Sequence, residues 1–358
     1  MLYLAVDQHR KQLTVSVRNE AGDVTMRRQV STEWPRVQAF FAELQAEAAT
    51  AGGWMAIVEV CGFNDWLLAL MRQYGAAEIV LVQPEHRSRQ KTDRRDANQL
   101  GETLWINRQR IAAGSRLQNV RRIASPTASV AADRQLTALR QRVGQLRTRT
   151  LNKIQRILLK HNLPQDSPTK TLQTKRARAW LATLALPAID RLEMDLSLAQ
   201  WDLWDRQLSQ LNEQLTARQQ TCPVATLIAT APGAGAFSSL ALASRMDDVG
   251  RFPTPGSLAN YWGLTPSCRN SGETTDRLGS ITKQGSKLAR FVLGQMVLHA
   301  LRRDPTMKQW YGRIKRRRGA KIARVAVMRR LTTILWHMVK HNEPYQQGGP
   351  GRSLRSTA

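Results

Sequence analysis

The run Arg89-Gln90-Lys91-Thr92-Asp93-Arg94-Arg95-Asp96 sets two aspartates three residues apart among cations. At that spacing two side chains stand side by side on a helix. Neighbouring carboxylates repel unless positive charge lies between them. Either the flanking arginines supply that charge or a metal does. Two further acids occupy comparable places. Asp7 closes the apolar run LYLAVD, and Glu59 lies near the end of MAIVEV, where an unpaired charge is costly to bury. Singly, these acids have plainer uses, Asp96 as a helix cap and Asp7 as the partner of Arg10. Together, four carboxylates offset the charge of two divalent ions. Two such ions about 3.5–4 Å apart can clamp the oxygens of a phosphodiester during displacement. Magnesium suits a shell of carboxylates, water and phosphate.

The surrounding pattern supplies a scaffold. Residues 2–7, 13–18 and 24–30 read as three short strands, with a turn at NEAGD. A helix over 34–49, a buried strand over 55–60, a helix over 63–74 and a strand over 78–82 follow, then a helix carrying Asp93 and Asp96. Meandering strands followed by strand–helix alternation indicate an α/β domain. Acids at strand ends fall where ligands bind in such folds.

Beyond about residue 125 the period changes. Leu136, Leu139, Val143 and Leu146 repeat at helical spacing, continued by Leu151, Ile154 and Leu158. Met194, Trp201, Trp204, Leu208, Leu211 and Leu215 do the same over 189–218. The spacing predicts two long amphipathic helices joined by the Pro-containing segment 162–187, paired as an antiparallel coiled coil within or between chains. The first helix also carries Arg140, Arg142, Arg147, Arg149, Lys153, Arg156 and Lys160, either a solvated face or a nucleic-acid contact. From about 222 onward the chain reads as helical. TAPGAGAFSSLAL (230–242) resembles a helix-hairpin-helix, whose backbone N–H groups could hold a phosphate; a simple tight turn accounts for it equally. Residues 313–330 hold nine basic side chains and no acidic one.

The chain has 358 residues, 54 basic against 27 acidic, a net charge of +27, a pI near 11.3 and 42% hydrophobic residues. Such charge repels itself unless a polyanion neutralises it, and nucleic acid is the natural partner. An anionic membrane surface is the rival, but no apolar run reaches the roughly 18 residues that span a bilayer. The N-terminal residues do not read as a signal peptide. Cys61, Cys222 and Cys268 have no metal-binding spacing and fit a reducing cytoplasm. His337 and His341 are helically spaced without further ligands.

AVDQHRKQL, IVEVCG and KTDRRDA match, in order and spacing, the D, E, D and D motifs of the insertion-sequence 110/116/902 transposases. The segment from LIATAPGAG to KQGSKLAR is similar to their C-terminal domain, with its G-L-T-P, S-G and K-x-G elements. Cys61 departs from the threonine more frequent there, leaving the carboxylate in place. The chain thus resembles the DEDD transposases, bridge-RNA-guided DNA recombinases, over nearly its whole length. The resemblance implies a RuvC-like, RNase H-like catalytic domain over 1–125 and a coiled-coil dimerisation region over 126–220. It implies a helical C-terminal domain over 221–345; residues 346–358 read as a disordered tail.

The resemblance also assigns roles. Asp7, Glu59, Asp93 and Asp96 would hold Mg2+, as one or two ions. Ser271, in SCRNSGE, would be the nucleophile; Ser280 and Ser286 are near but do not align with the family position. Attack on a phosphodiester would give a phosphoserine link and a free hydroxyl end. Arg269, Arg277, Lys283, Lys287 and Arg290 flank that serine and, with Arg316, Arg317 and Arg318, would bind nucleic acid. Lys287 and Arg290 could equally be the solvated face of a helix starting near 285. The implied partners are donor and target DNA, a noncoding guide RNA, and further copies of the chain. In the family, acidic and serine domains of different protomers build the site, in dimers that pair into tetramers. The expected location is the cytoplasm, at the nucleoid and not a membrane. The alternatives are a RuvC-type structure-specific nuclease, which needs the acids but not Ser271, and a non-enzymatic nucleic-acid-binding protein.

Overall fold

A computed structural model of the chain describes residues 1–84, 93–268 and 278–349. The backbone divides into two compact units, Met1–Ser125 and Pro126–Ala358. Among the described residues, no helix is long and apolar enough to cross a membrane.

In the first unit, apolar alternation builds three antiparallel strands, β1 (Leu2–Gln8), β2 (Gln12–Arg18) and β3 (Val24–Ser31). Helix α1 (Trp34–Ala51) opens with a proline in its first turn and stops at Gly52 in the left-handed conformation, the usual asymmetry of helix ends. Then come β4 (Trp54–Glu59), α2 (Asp65–Gln73), β5 (Ala76–Pro84), α3 (Asp93–Ala112) and β6 (Val120–Ile123). The sheet order is β3-β2-β1-β4-β5-β6. Strands β1, β4 and β5 run parallel, and β6 pairs antiparallel with β5. This mixed α/β sheet fits the RuvC-like expectation. Strand β6 was not foreseen: it is a four-residue edge strand with Arg121 and Arg122 at its centre, so no apolar alternation announces it.

Both faces of the sheet are covered. Leu4, Val6, Ala56 and Val58 pack with Phe40, Phe41 and Leu44 of α1 and Leu67 of α2. Tyr3, Ala5, Met55 and Ile57 pack with Leu100 and Leu104 of α3. Central strands buried on both sides read as continuous apolar runs, which is why LYLAVD and MAIVEV stand out.

The second unit begins with α4 (Ala128–Lys160), α5 (Lys175–Thr183) and α6 (Ala188–Gln220). Helices α4 and α6 have 33 residues each, about 50 Å at 1.5 Å per residue. They lie antiparallel within the chain, fastened by Asp133–Arg218, Arg140–Asn212, Arg147–Asp205 and Lys160–Asp190 contacts. The link between them is more than a connector, because α5 closes a small core of Ile154, Ile157, Leu158, Leu181, Met194 and Trp201.

The remainder is α7 (Pro223–Ala229), α8 (Ala236–Met246), α9 (Pro255–Tyr261), a hairpin of β7 (Pro266–Cys268) and β8 (Leu278–Ile281), α10 (Lys287–Arg303) and α11 (Pro305–His341). It is predominantly helical, as expected, but the hairpin was not read from the sequence. Its strands are three and four residues long, too short for a period to register. Gly319 interrupts α11 with non-helical backbone angles.

Asp304 joins α10 to α11 and is fully buried. Its Oδ1 accepts from the Met307 N–H at 2.9 Å, capping α11, while Oδ2 accepts from Tyr345 Oη at 2.7 Å and the Gly348 N–H at 2.8 Å. Gln346–Gly349, expected within a disordered tail, are therefore held in place; residues 350–358 lie outside the described residues. Burial alone would raise the Asp304 pKa, but the hydrogen bonds from Gly348, Met307 and Tyr345 outweigh it and hold it below the ordinary value. A depressed carboxylate stabilises the fold above its unfolded pKa and loses that contribution as pH falls through its folded pKa. Asp304→Ala should cost about 3 kcal/mol at neutral pH, combining a lost cap with unpaired buried donors. Urea unfolding should show the gap between variant and parent narrowing as the medium becomes acidic.

Candidate active site

Strand pairing places two of the four candidate acids. Val6 of β1 pairs with Val58 of β4 in parallel register, and Asp7 and Glu59 are the next residues on each. Side chains alternate along a strand, so both acids share the face of Ala5 and Ile57, the face covered by α3. Adjacent strands lie about 4.8 Å apart, and both acids emerge at the carboxyl end of the sheet.

Helix α3 approaches the same end. Gly101 lies beside Ala5 and Ser16, and Trp105 Nε1 donates to Glu20 O in the β2–β3 turn at 3.1 Å. The helix therefore runs antiparallel to β1, and its first turn, carrying Asp93 and Asp96, is directed to the strand end where Asp7 stands. The side chains of Asp93 and Asp96 lie outside the described residues. Among the described residues, no group of three or more His, Cys, Asp or Glu side chains gathers to hold a metal.

The donor chemistry at this edge nonetheless fits a hard cation. Asp7 Oδ2 lies 3.1 Å from His9 Nε2, an ion pair when the imidazole is protonated; the sequence had suggested Arg10 as its partner. Glu59 is half-buried, less enclosed than its apolar strand implied. No hydrogen bond or ion pair reaches its carboxylate among the described residues. Two carboxylates converging on one face, one of them unengaged, match the all-oxygen ligation of magnesium-like ions.

A buried amide clasp fixes this edge, and the sequence reading missed it. Gln8 is 4% and Asn64 5% exposed. Asn64 Nδ2 donates to Gln8 Oε1 at 2.8 Å and to Glu59 O at 3.2 Å, while Asn64 Oδ1 accepts from the Cys61 N–H at 2.9 Å. Gln8 Nε2 donates to Phe63 O at 3.1 Å, and the Val60 N–H to Val82 O at 3.0 Å. The ends of β1, β4 and β5 are thus tied together around Glu59. The available signal was local: polar Gln8 and His9 directly after the acid that ends a buried strand, and Asn64 five residues beyond Glu59.

In the second unit Ser271, Arg269 and Arg277 lie outside the described residues, between β7 and β8. The base of that hairpin is well defined. Ser267 Oγ donates to Ser280 O at 3.0 Å, and the Thr282 N–H donates to Thr265 O at 3.0 Å. The G-L-T-P and K-x-G elements meet backbone to backbone. Both glycines have left-handed φ; a Cβ on Gly263 would fall 2.1 Å from Gln284 O, and one on Gly285 2.0 Å from Tyr261 O. Arg290, expected to bind phosphate, directs Nη1 to Trp262 O and Gln284 O, each at 2.9 Å, and burial holds its pKa below the usual value. It pins the loops that carry the hairpin. Lys283 and Lys287 are exposed beside them. Ser286 Oγ caps α10 by accepting from the Ala289 N–H. Arg316, Arg317 and Arg318 are exposed on α11 just before Gly319.

Residues 225–312 match the family model described as "Transposase IS116/IS110/IS902 family", and residues 4–163 match the DEDD model for IS110 elements, described as "Transposase". The chain is similar to the transposase for insertion sequence element IS1111A of Coxiella burnetii, at 23% identity over 82% of this chain and 79% of the relative. It is similar to a probable family 20 transposase of Pseudomonas aeruginosa, also 23% identical, over 82% and 86%. A pilin gene-inverting protein of Moraxella bovis is 28% identical over 40% of this chain and 47% of its own length.

Removing Asn64 leaves the Cys61 N–H without its partner and Gln8 Oε1 with only the weak Cys61 thiol donor at 3.7 Å. Asn64→Ala should cost about 2–3 kcal/mol, read by urea unfolding. An unchanged unfolding midpoint would show that the clasp does not hold the acidic edge.

Proposed function

The chain belongs to the IS116/IS110/IS902 family of transposases, and from that membership we propose that it cuts and rejoins DNA through a serine-linked intermediate. The observation that carries the strand-cutting part of this reading is the convergence of Asp7, Glu59 and the first turn of α3 at one end of the sheet; the serine is carried by family membership. A relative named for inverting a pilin gene suits a reaction that reseals strands as well as opening them.

Asp7, Glu59, Asp93 and Asp96 would hold magnesium, in one or two ions. When bound, the metal neutralises charge on the phosphate oxygens and favours the ionised form of a nearby hydroxyl. Ser271 Oγ attacks the phosphorus of a DNA phosphodiester. One P–O bond forms, the bond to the departing strand breaks, and that strand leaves as a hydroxyl end bearing a proton in place of the one the serine releases. Attack by a strand hydroxyl on the phosphoserine reverses the step and reseals DNA. The ester conserves bond energy, so the reaction needs no nucleotide hydrolysis. The clasp of Gln8 and Asn64 holds Glu59 in register, and Arg290 with the two glycine loops fixes the base of the Ser271 hairpin.

Further features suit further parts of this reading. Residues 230–242 act as a helix-hairpin-helix on DNA phosphates. Arg269, Arg277, Lys283, Lys287 and the Arg316–Arg318 run bind nucleic acid. Residues 126–220 act as a coiled-coil dimerisation region beside a C-terminal serine domain, in dimers that pair into tetramers. A noncoding guide RNA supplies sequence choice, and the enzyme works in the cytoplasm at the nucleoid. A RuvC-type nuclease without a covalent intermediate is the second reading, favoured by the acidic edge taken alone.

Two experiments separate them. Ser271→Ala should abolish both recombination and the protein-linked DNA seen on a denaturing gel with magnesium; adduct persisting in that variant would reject the serine. Asp7→Asn and Glu59→Gln should each slow strand cleavage by roughly a thousandfold, the scale of several kcal/mol of lost charge stabilisation. Cleavage retained in Ser271→Ala but lost in these two would select the nuclease.

A further inference from the structure

We propose that the exposed aromatic rim at the carboxyl end of the sheet, centred on Phe63, stacks unpaired bases of the DNA strand whose phosphodiester is presented to the acidic edge. The inference rests on the transposase reading above. Large apolar side chains stand in the open here: Phe63 is 47%, Trp34 55% and Val60 37% exposed. Strand pairing brings them to one end. Val60 and Phe63 follow β4, which runs parallel to β1. Trp34 follows β3, whose Ser31 pairs with Gln12 beside the β1–β2 turn. Trp66, three residues beyond Phe63, meets Trp34 edge to face, with ring centroids 5.7 Å apart.

The fold holds Phe63 out by its backbone. Gln8, next to Asp7, donates from Nε2 to Phe63 O at 3.1 Å, and Asn64 donates from Nδ2 to Glu59 O at 3.2 Å. The chain at the ring is thereby tied to the strand ends that bear both acids. Gly62, with φ of +81°, makes the turn in a conformation that favours glycine. Leu67 and Leu68 of the following helix take the buried places. Among the described residues Phe63 has no aromatic partner. Leaving a phenyl ring in water is unfavourable, and nothing in the local packing requires it.

The surroundings decide what covers the ring. Arg10 and Lys11, in the β1–β2 turn, are exposed, and among the described residues neither side chain makes a hydrogen bond or ion pair. Thr32 bonds the carbonyls of both and fixes that turn beside the start of α1. Aromatic faces among cations match a single strand, with bases on rings and phosphates on charges. The exposed Asp65 stands in the first turn of α2, where a helix end favours an acid. A protein partner would call for a broad apolar centre, whereas these side chains are set between charged loops. A duplex keeps its base faces inside the stack, so the bases must be unpaired. The strand is DNA because the rim borders the carboxylates to which the transposase reaction brings DNA.

The test uses the full chain without added metal and a single-stranded DNA of roughly 12 nucleotides carrying 2-aminopurine, whose fluorescence is quenched by stacking. The parent should bind and quench it. Phe63→Ala should weaken binding about 5- to 100-fold, the scale of one stacked base, and lose the quench, while a fully paired DNA of the same sequence binds as before. Phe63→Tyr should behave like the parent. The ring is exposed, so the urea midpoint should not move; should the alanine variant fail to fold, Phe63→Leu, which keeps apolar volume without an aromatic face, should show the same loss. Unchanged binding and quench in Phe63→Ala, Phe63→Leu and Trp34→Ala, with the parent binding normally, would reject the rim and leave the transposase reading intact. Equal losses on single and paired DNA would overturn the proposal, as would a loss on single-stranded RNA of the same sequence with none on DNA. Dissociation of an oligomer by Phe63→Ala in sedimentation of the protein alone would assign the ring to a second copy and overturn it too. A parent that binds no DNA, single or paired, would reject both the rim and the reading beneath it.

Discussion

Parallel pairing of β1 with β4 is the constraint on which the acidic edge depends. Because Val6 faces Val58 in register, the next residue on each strand is an acid, and the pleat turns both acids to the face of α3. A one-residue slip would send one carboxylate to the opposite face, into the apolar layer under α1 and α2. The register is held from within by the cores on both faces of the sheet. At the open end, where hydrophobic packing stops, the amides of Gln8 and Asn64 take over. Apolar burial sets the strands, and hydrogen bonds set their ends.

The second unit places its hairpin by a different device. Two loops far apart in sequence approach until carbonyl oxygens occupy the space where Cβ atoms would sit, at Gly263 and Gly285. Contact that close leaves little freedom, and the Arg290 guanidinium bridges the same loops by bonding the carbonyls of Trp262 and Gln284. The described strands of the hairpin therefore stand on a closely packed base.

The legible features were those with a period or an apolar contrast. The strand of residues 55–60 and the two long helices could be read because many residues repeat the same instruction. Asp7 and Glu59 could be singled out because they interrupt that instruction. Strand β6, the β7–β8 hairpin and α5 are short, and β6 carries two arginines at a solvated edge, so burial writes little into them. The clasp was illegible for another reason. Gln8 and Asn64 are 56 residues apart, and an amide gives no sign in sequence of which distant amide it will face. Arg290 was read by its charge, as a phosphate ligand, whereas two backbone carbonyls determine its place.

Charge is distributed unevenly between structural joints and the surface. Where the fold takes a cation inside, it surrounds it with oxygens. Arg245 donates to Thr137 Oγ1, Ala241 O and Ser244 Oγ, and burial, with Arg134 nearby, holds its pKa down to about 10. Acids are used sparingly and at structural joints: Asp133, Asp190 and Asp205 fasten α4 to α6, and Asp304 caps α11. With 27 acids for 54 bases, such uses leave, among the described residues, exposed cations of α4 and α11 without internal partners and the Glu59 carboxylate without one. Exposed cations of that kind suit a polyphosphate partner. An excess of positive charge that would destabilise an isolated protein is what a chain working on nucleic acid requires.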